Sequence, residues 1–132
     1  MRNFGHLALG AMAAGLIAIA IACGGGATAT SPSSTPPTNA TTITIANNAV
    51  SPSSIVVSRG TQVTFVNNDS RVHDMDSDPH PEHTDCVELN QVGFLNPGQR
   101  KQTGNLNTAR KCGFHDHGNP ENNGLKGSIT IQ

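Results

Sequence analysis

The stretch from Ser54 to Asp74, SIVVSRGTQVTFVNNDSRVHD, decides how the rest of the chain is read. SIVVS (Ser54 to Ser58) and TQVTFVN (Thr61 to Asn67) are rich in β-branched residues, the second alternates in polarity, and SRG and NND mark turns after them. Alternation with period two sends successive side chains to opposite faces, as in a half-buried strand. Outward from this stretch, TITIA (Thr42 to Ala46), QVGFLN (Gln91 to Asn96) and GSITIQ (Gly127 to Gln132) repeat the pattern, with turn signals at SPSS and NPGQ. No window keeps a helical period of apolar residues. Residues 42–132 are therefore predicted to form an all-β domain, a Greek-key antiparallel β-sandwich of about seven to eight strands. Its core is expected to be aliphatic, with Phe65, Phe94 and Phe114 as its aromatics, since the chain has no Trp or Tyr.

What precedes the domain reads as an address and a tether. A short polar start with Arg2 leads into an apolar run from Leu7 to Ala22, then Cys23 and three glycines. A run of that length is marginal for a membrane span, and the small Ala22 stands where a signal peptidase cuts. AIAC (Ala20 to Cys23) resembles a bacterial lipobox, although Ala20 replaces the usual Leu. Residues 1–22 are thus expected to be an export signal, with Cys23 lipidated as the first mature residue. Residues 24–41, GGGATATSPSSTPPTNAT, carry no large apolar side chain and read as a flexible tether. The expected location is the cell envelope, periplasmic or on the outer face of a membrane, held there by the lipid.

Nine acidic and eight basic side chains nearly balance, but not locally. From Asp69 to Glu88 stand Asp69, Asp74, Asp76, Asp78, Glu82, Asp85 and Glu88 against Arg71 alone, a surround that attracts cations. No basic stripe interleaved with aromatics occurs, so nucleic acid is excluded as a partner. Into the same region fall His73, His80 and His83, followed by CGFHDH with Cys112, His115 and His117. Imidazole and thiol donors suit copper, zinc or iron rather than calcium or magnesium. His80, between prolines, reads first as a surface turn residue; it and His83 also fit a rim that captures a metal.

SIVVSRGTQVTFVNNDSRVHD, then FLNPGQ, a Cys/His cluster and GLKGSITIQ together resemble the cupredoxins, the plastocyanin and azurin type of small copper protein. The resemblance runs in order through residues 42–132. It implies one copper ion, places His73 at the family's first histidine ligand and puts Leu125 where the axial methionine usually stands. At Cys112 to His117 it divides. In a blue-copper reading Cys112, His115 and His73 hold the metal, His117 is the axial donor or there is none, and the protein carries electrons. In the other, GFHDHGNPENNGLKGSITI resembles the His-x-His segment of multicopper oxidase domains, with Asp116 in the slot of a blue-copper cysteine. His115 and His117, two apart on an extended segment, then share a face and chelate one ion with His73 and with His80 or His83.

Cysteine arithmetic bears on the choice. With Cys23 lipidated, Cys86 and Cys112 remain as a pair in an oxidising compartment, where a disulfide is the default. A bridged sulfur is no thiolate, so the bridge and the blue site exclude each other. The functions expected are electron transfer or copper handling at the envelope. The alternative is a His-rich copper or zinc storage and delivery protein with a Cys86–Cys112 bridge. A structural or adhesive sandwich without metal ranks third. The corresponding partner is a redox protein or a copper donor or acceptor, met by a monomer. No Gly-x-Ser-x-Gly elbow or phosphate loop is present, so a non-enzymatic role is expected.

Overall fold

The computed structural model describes residues 40–132. The expected signal, the lipidated Cys23 and the tether up to residue 39 lie outside the described residues. The described residues form nine strands: β1 (Thr42–Ala46), β2 (Ala49–Ser51), β3 (Ser54–Val57), β4 (Thr64–Asn67), β5 (His73–Ser77), β6 (Gly93–Leu95), β7 (Arg100–Gln102), β8 (Arg110–Asp116) and β9 (Gly127–Ile131). One sheet has the order β2-β1-β4-β7 and the other β3-β9-β8-β5-β6. The predicted β-sandwich is observed, with mixed rather than purely antiparallel sheets. Two neighbouring pairs, β1 with β4 and β3 with β9, run parallel. Between β1 and β4 the chain makes an excursion through the opposite sheet, and such a crossover returns a strand in its original direction.

Alternation along the strands builds the interior. Ile43 and Ile45 of β1, Ile55 and Val57 of β3, and Ile129 and Ile131 of β9 are buried while their neighbours are not. Phe65 and Phe114 meet edge to face at the centre, with ring centroids 5.2 Å apart. Leu125 is fully buried in the same core. Phe94 is not: it is 65% exposed, contrary to the sequence expectation. It pairs with Asp74 across β5 and β6, and the strand's pleat turns that position away from the sandwich.

The pair β5 and β8 positions everything that follows. Its register sets Met75 opposite Asp116 and Asp76 opposite His115. On β5, His73, Met75 and Ser77 are buried and Asp74 and Asp76 are not. On β8, Cys112 and Phe114 enter the core. Gly113 and His115 therefore take the outer face, beneath the loop that links β5 to β6.

Candidate metal centre

The outer face of this strand pair gathers four imidazoles. His80 and His83 come from the loop after β5, His115 from the end of β8 and His117 from the turn beyond it, and one ring nitrogen of each lies within 4.8 Å of the others. Two nitrogens on opposite sides of an ion with bonds of about 2.1 Å stand about 4.2 Å apart, so small rotations of the outer rings bring the set onto one metal. His117 Nδ1 and His83 Nε2 are already 3.1 Å apart and share a hydrogen bond.

Each ring is held differently. His115 is 2% exposed, and its Nδ1 sits 2.7 Å from Asp78 Oδ1. Its Nε2 is buried with no hydrogen-bond partner. A buried polar atom left unpaired is costly, and a metal ion is a partner that removes the cost. Asp78 reaches this ring because β8 offers no side chain at Gly113. A Cβ there would lie 2.0 Å from Asp78 Oδ2. A carboxylate behind a ligating histidine fixes its tautomer and strengthens it as a donor.

His83 has the left-handed backbone angle φ 52°, which few non-glycine residues adopt. Its N–H donates to the carbonyl of Pro79 at 2.7 Å, and its carbonyl accepts from Asn90 Nδ2 at 2.8 Å. These bonds hold the turn, while Asp76 Oδ2 lies 3.7 Å behind the ring's Nδ1. His80 is exposed. Its pKa lies below the ordinary histidine value, through desolvation and the neighbouring imidazoles of His117, His115 and His83. The shift keeps His80 neutral, and so able to ligate, to lower pH than a free histidine.

His73 does not join this set. It faces the core, and each ring nitrogen meets a carboxylate: Nδ1 lies 2.7 Å from Asp116 Oδ2 and Nε2 3.1 Å from Asp69 Oδ2. Strand parity is the reason, because His73 and His115 stand on opposite faces of the same sheet. Asp116 also accepts hydrogen bonds from the backbone N–H groups of Asp74 and Gly118. Burial raises the pKa of Asp69, but hydrogen bonds from the Asn48 backbone, His73 and the Asn47 backbone hold it below the ordinary carboxylate value on balance.

Cys112 is no ligand either. It is bonded to Cys86, with the two Cα atoms 5.6 Å apart. It stands three positions before His115, an odd step that puts the two on opposite faces of β8. The blue-copper set of Cys112, His115 and His73 is thus replaced by His80, His83, His115 and His117. Near the bridge, Arg110 pairs with Glu88 and donates toward Cys86 Sγ. In the sequence the orienting carboxylates Asp78 and Asp76 stand out only as part of an acidic stretch; their spacing of two, matching that of His115 and His117, is the available signal.

No protein-family model matches the chain, and no curated protein resembles it in sequence. Solved structures do resemble it in shape. A purple cupredoxin from Nitrosopumilus maritimus is 21% identical with a TM-score of 0.57, over 70% of this chain and all of that one. Plastocyanin from Dryopteris crassirhizoma is 21% identical with a TM-score of 0.54, over 69% of this chain and 99% of its own. A copper-containing nitrite reductase from Thermus scotoductus is 21% identical with a TM-score of 0.52, over 73% of this chain but 22% of its own. Strand order, the core and these likenesses together identify the fold of residues 40–132 as that of the cupredoxins.

Proposed function

We propose that this is an exported protein that binds one copper ion as cargo, storing or delivering it at the cell envelope through His80, His83, His115 and His117. The observation that carries the reading is the buried, unpartnered Nε2 of His115 within a set of four converging imidazoles. Nitrogen donors suit copper and zinc alike, and the cupredoxin likeness favours copper. The Cys86–Cys112 bridge and the graded exposure of the ligands favour handling of a metal over a rigid electron-transfer site.

Truncating a ligand removes a metal bond, so His115→Ala and His117→Ala should each abolish stoichiometric copper binding. Asp78→Asn keeps a hydrogen-bonding group but loses the charge behind His115, and should weaken binding about 10- to 100-fold. Cupric titration against a competing chelator checks both. Wild-type affinity in His115→Ala would sink the reading. Protein concentration must come from amino-acid analysis, because the chain has no Trp or Tyr.

Export and the lipid anchor rest on the apolar run before Cys23 and on the Gly/Ser/Pro tether. Growth with a labelled fatty acid should mark the wild-type protein and leave Cys23→Ala unmarked. Equal labelling of the two, or none of the wild type, would remove lipidation from the proposal.

A further inference from the structure

We infer that the four-histidine site is selective for the cupric ion and gives up its copper on reduction, to an acceptor whose ligands are sulfur. The inference rests on the copper-cargo reading above and adds the oxidation state and the chemistry of the recipient. It follows from which donors the fold brings to the site and which it withholds.

Every donor at the site is an imidazole nitrogen, and two of the four rings have a carboxylate behind them. Asp74 and Glu82 add oxygen to the same stretch of chain. Sulfur is excluded. The described residues contain three sulfur side chains, Met75, Cys86 and Cys112, and all three are fully buried. Met75 and Cys112 face the core, on the other side of the sheet from His115, and Cys112 and Cys86 are consumed in the disulfide. Thiolate and thioether donors select the soft cuprous ion, whereas imidazole with nearby carboxylate suits the harder, more highly charged cupric ion. A four-nitrogen set ringed by negative charge therefore loses part of its attraction when the ion falls from two charges to one.

The exit is built in the same way. His115 is buried and braced by Asp78, while His80 is exposed and makes no side-chain hydrogen bond among the described residues. His80 is the ligand that an incoming donor displaces first. The electron comes from a one-electron reductant of the ascorbate class. Each copper gains one electron, each reductant molecule is oxidised by one, and the protein's own disulfide and imidazoles change neither bonds nor oxidation state. The cuprous ion then passes to thiolate or thioether ligands on the recipient.

The test uses the full chain carrying Cys23→Ala, so that no thiol outside the disulfide contributes. It is loaded with one equivalent of cupric ion and desalted, and copper is measured by atomic absorption and electron paramagnetic resonance. Ascorbate is then added without oxygen, together with bicinchoninate, a ligand that takes only cuprous copper. The expected result is a nitrogen-coordinated cupric signal before reduction and loss of the copper to the chelator after it. A parallel titration with cuprous ion should leave the protein copper-free after desalting. Copper retained through reduction, or cuprous ion held as firmly as cupric, would overturn the inference and leave the cargo reading standing. Failure to hold cupric ion at all, or equal retention in His115→Ala, would overturn the cargo reading itself.

Discussion

Replacing His73 with alanine is expected to lower the stability of the domain by about 3 kcal/mol while leaving the copper stoichiometry unchanged. The imidazole sits between Asp116 and Asp69, whose side chains are 3% and 14% exposed, and truncation leaves both carboxylates without the ring nitrogen each one meets. Leaving a buried polar group without its hydrogen bond typically costs about 1–3 kcal/mol, more for a charged one, and the burial of Asp116 argues for the upper end. Asp116→Asn should cost less, because an amide oxygen can still accept from the N–H groups of Asp74 and Gly118. Denaturant unfolding followed by far-ultraviolet circular dichroism, paired with cupric titration of the folded protein, separates the two effects. A His73→Ala protein as stable as wild type but unable to bind copper would restore His73 as a ligand and remove the four-histidine assignment.

Loss of the Cys86–Cys112 bridge should be nearly as damaging to stability and, unlike loss of His73, should also weaken the metal site. The bridge joins residues 26 apart, and closing a loop of that size in the unfolded chain contributes about 3 kcal/mol. For a domain of this size the double replacement Cys86→Ala with Cys112→Ala corresponds to a fall in Tm on the order of 15 °C. The metal effect comes from geometry. Cys86 anchors the far end of the loop that carries His80 and His83, three residues after the left-handed turn at His83. Untied, the loop brings two of the four imidazoles to β8 at a larger entropic cost. Thermal unfolding and copper affinity measured on the bridged and bridgeless forms test both halves. Unchanged affinity in the bridgeless protein would show that the hydrogen bonds of Pro79 and Asn90 with His83 hold the loop without it.

The strands that could be read in the sequence are those whose buried positions are apolar. TITIA, SIVV, TFVN and GSITI all appear within a residue or a few of their expected limits. The strands that could not are the polar ones. In HDMDS of β5 the buried positions are His73, Met75 and Ser77, so the alternation is present but two of its three inward residues are hydrophilic. RKQ of β7 is an edge strand with charged, largely exposed residues. The candidate site was legible in part for the same reason. The shared face of His115 and His117 follows from their spacing alone, whereas the exclusion of His73 depends on the register between β5 and β8, which local sequence does not encode. The clue available was Asp116. The resemblance sets it in the slot of the family's copper-binding cysteine, and in the structure it is the hydrogen-bonding partner of His73.

The division of labour between the two faces of β5 and β8 also governs how this chain can change over generations. Point substitutions reach the His73–carboxylate cluster on one face or the imidazoles on the other, since no side-chain hydrogen bond joins the two groups. A change of chain length does not have that freedom. One residue inserted in β8 ahead of His115 would shift the strand by half a pleat, carrying His115 into the core and Asp116 toward the loop. Two residues would restore the parity. Among descendants of this sequence, lengths between Cys112 and His115 should therefore vary in even steps or stay fixed, a mark that copying errors leave only where both sides of a strand are in use.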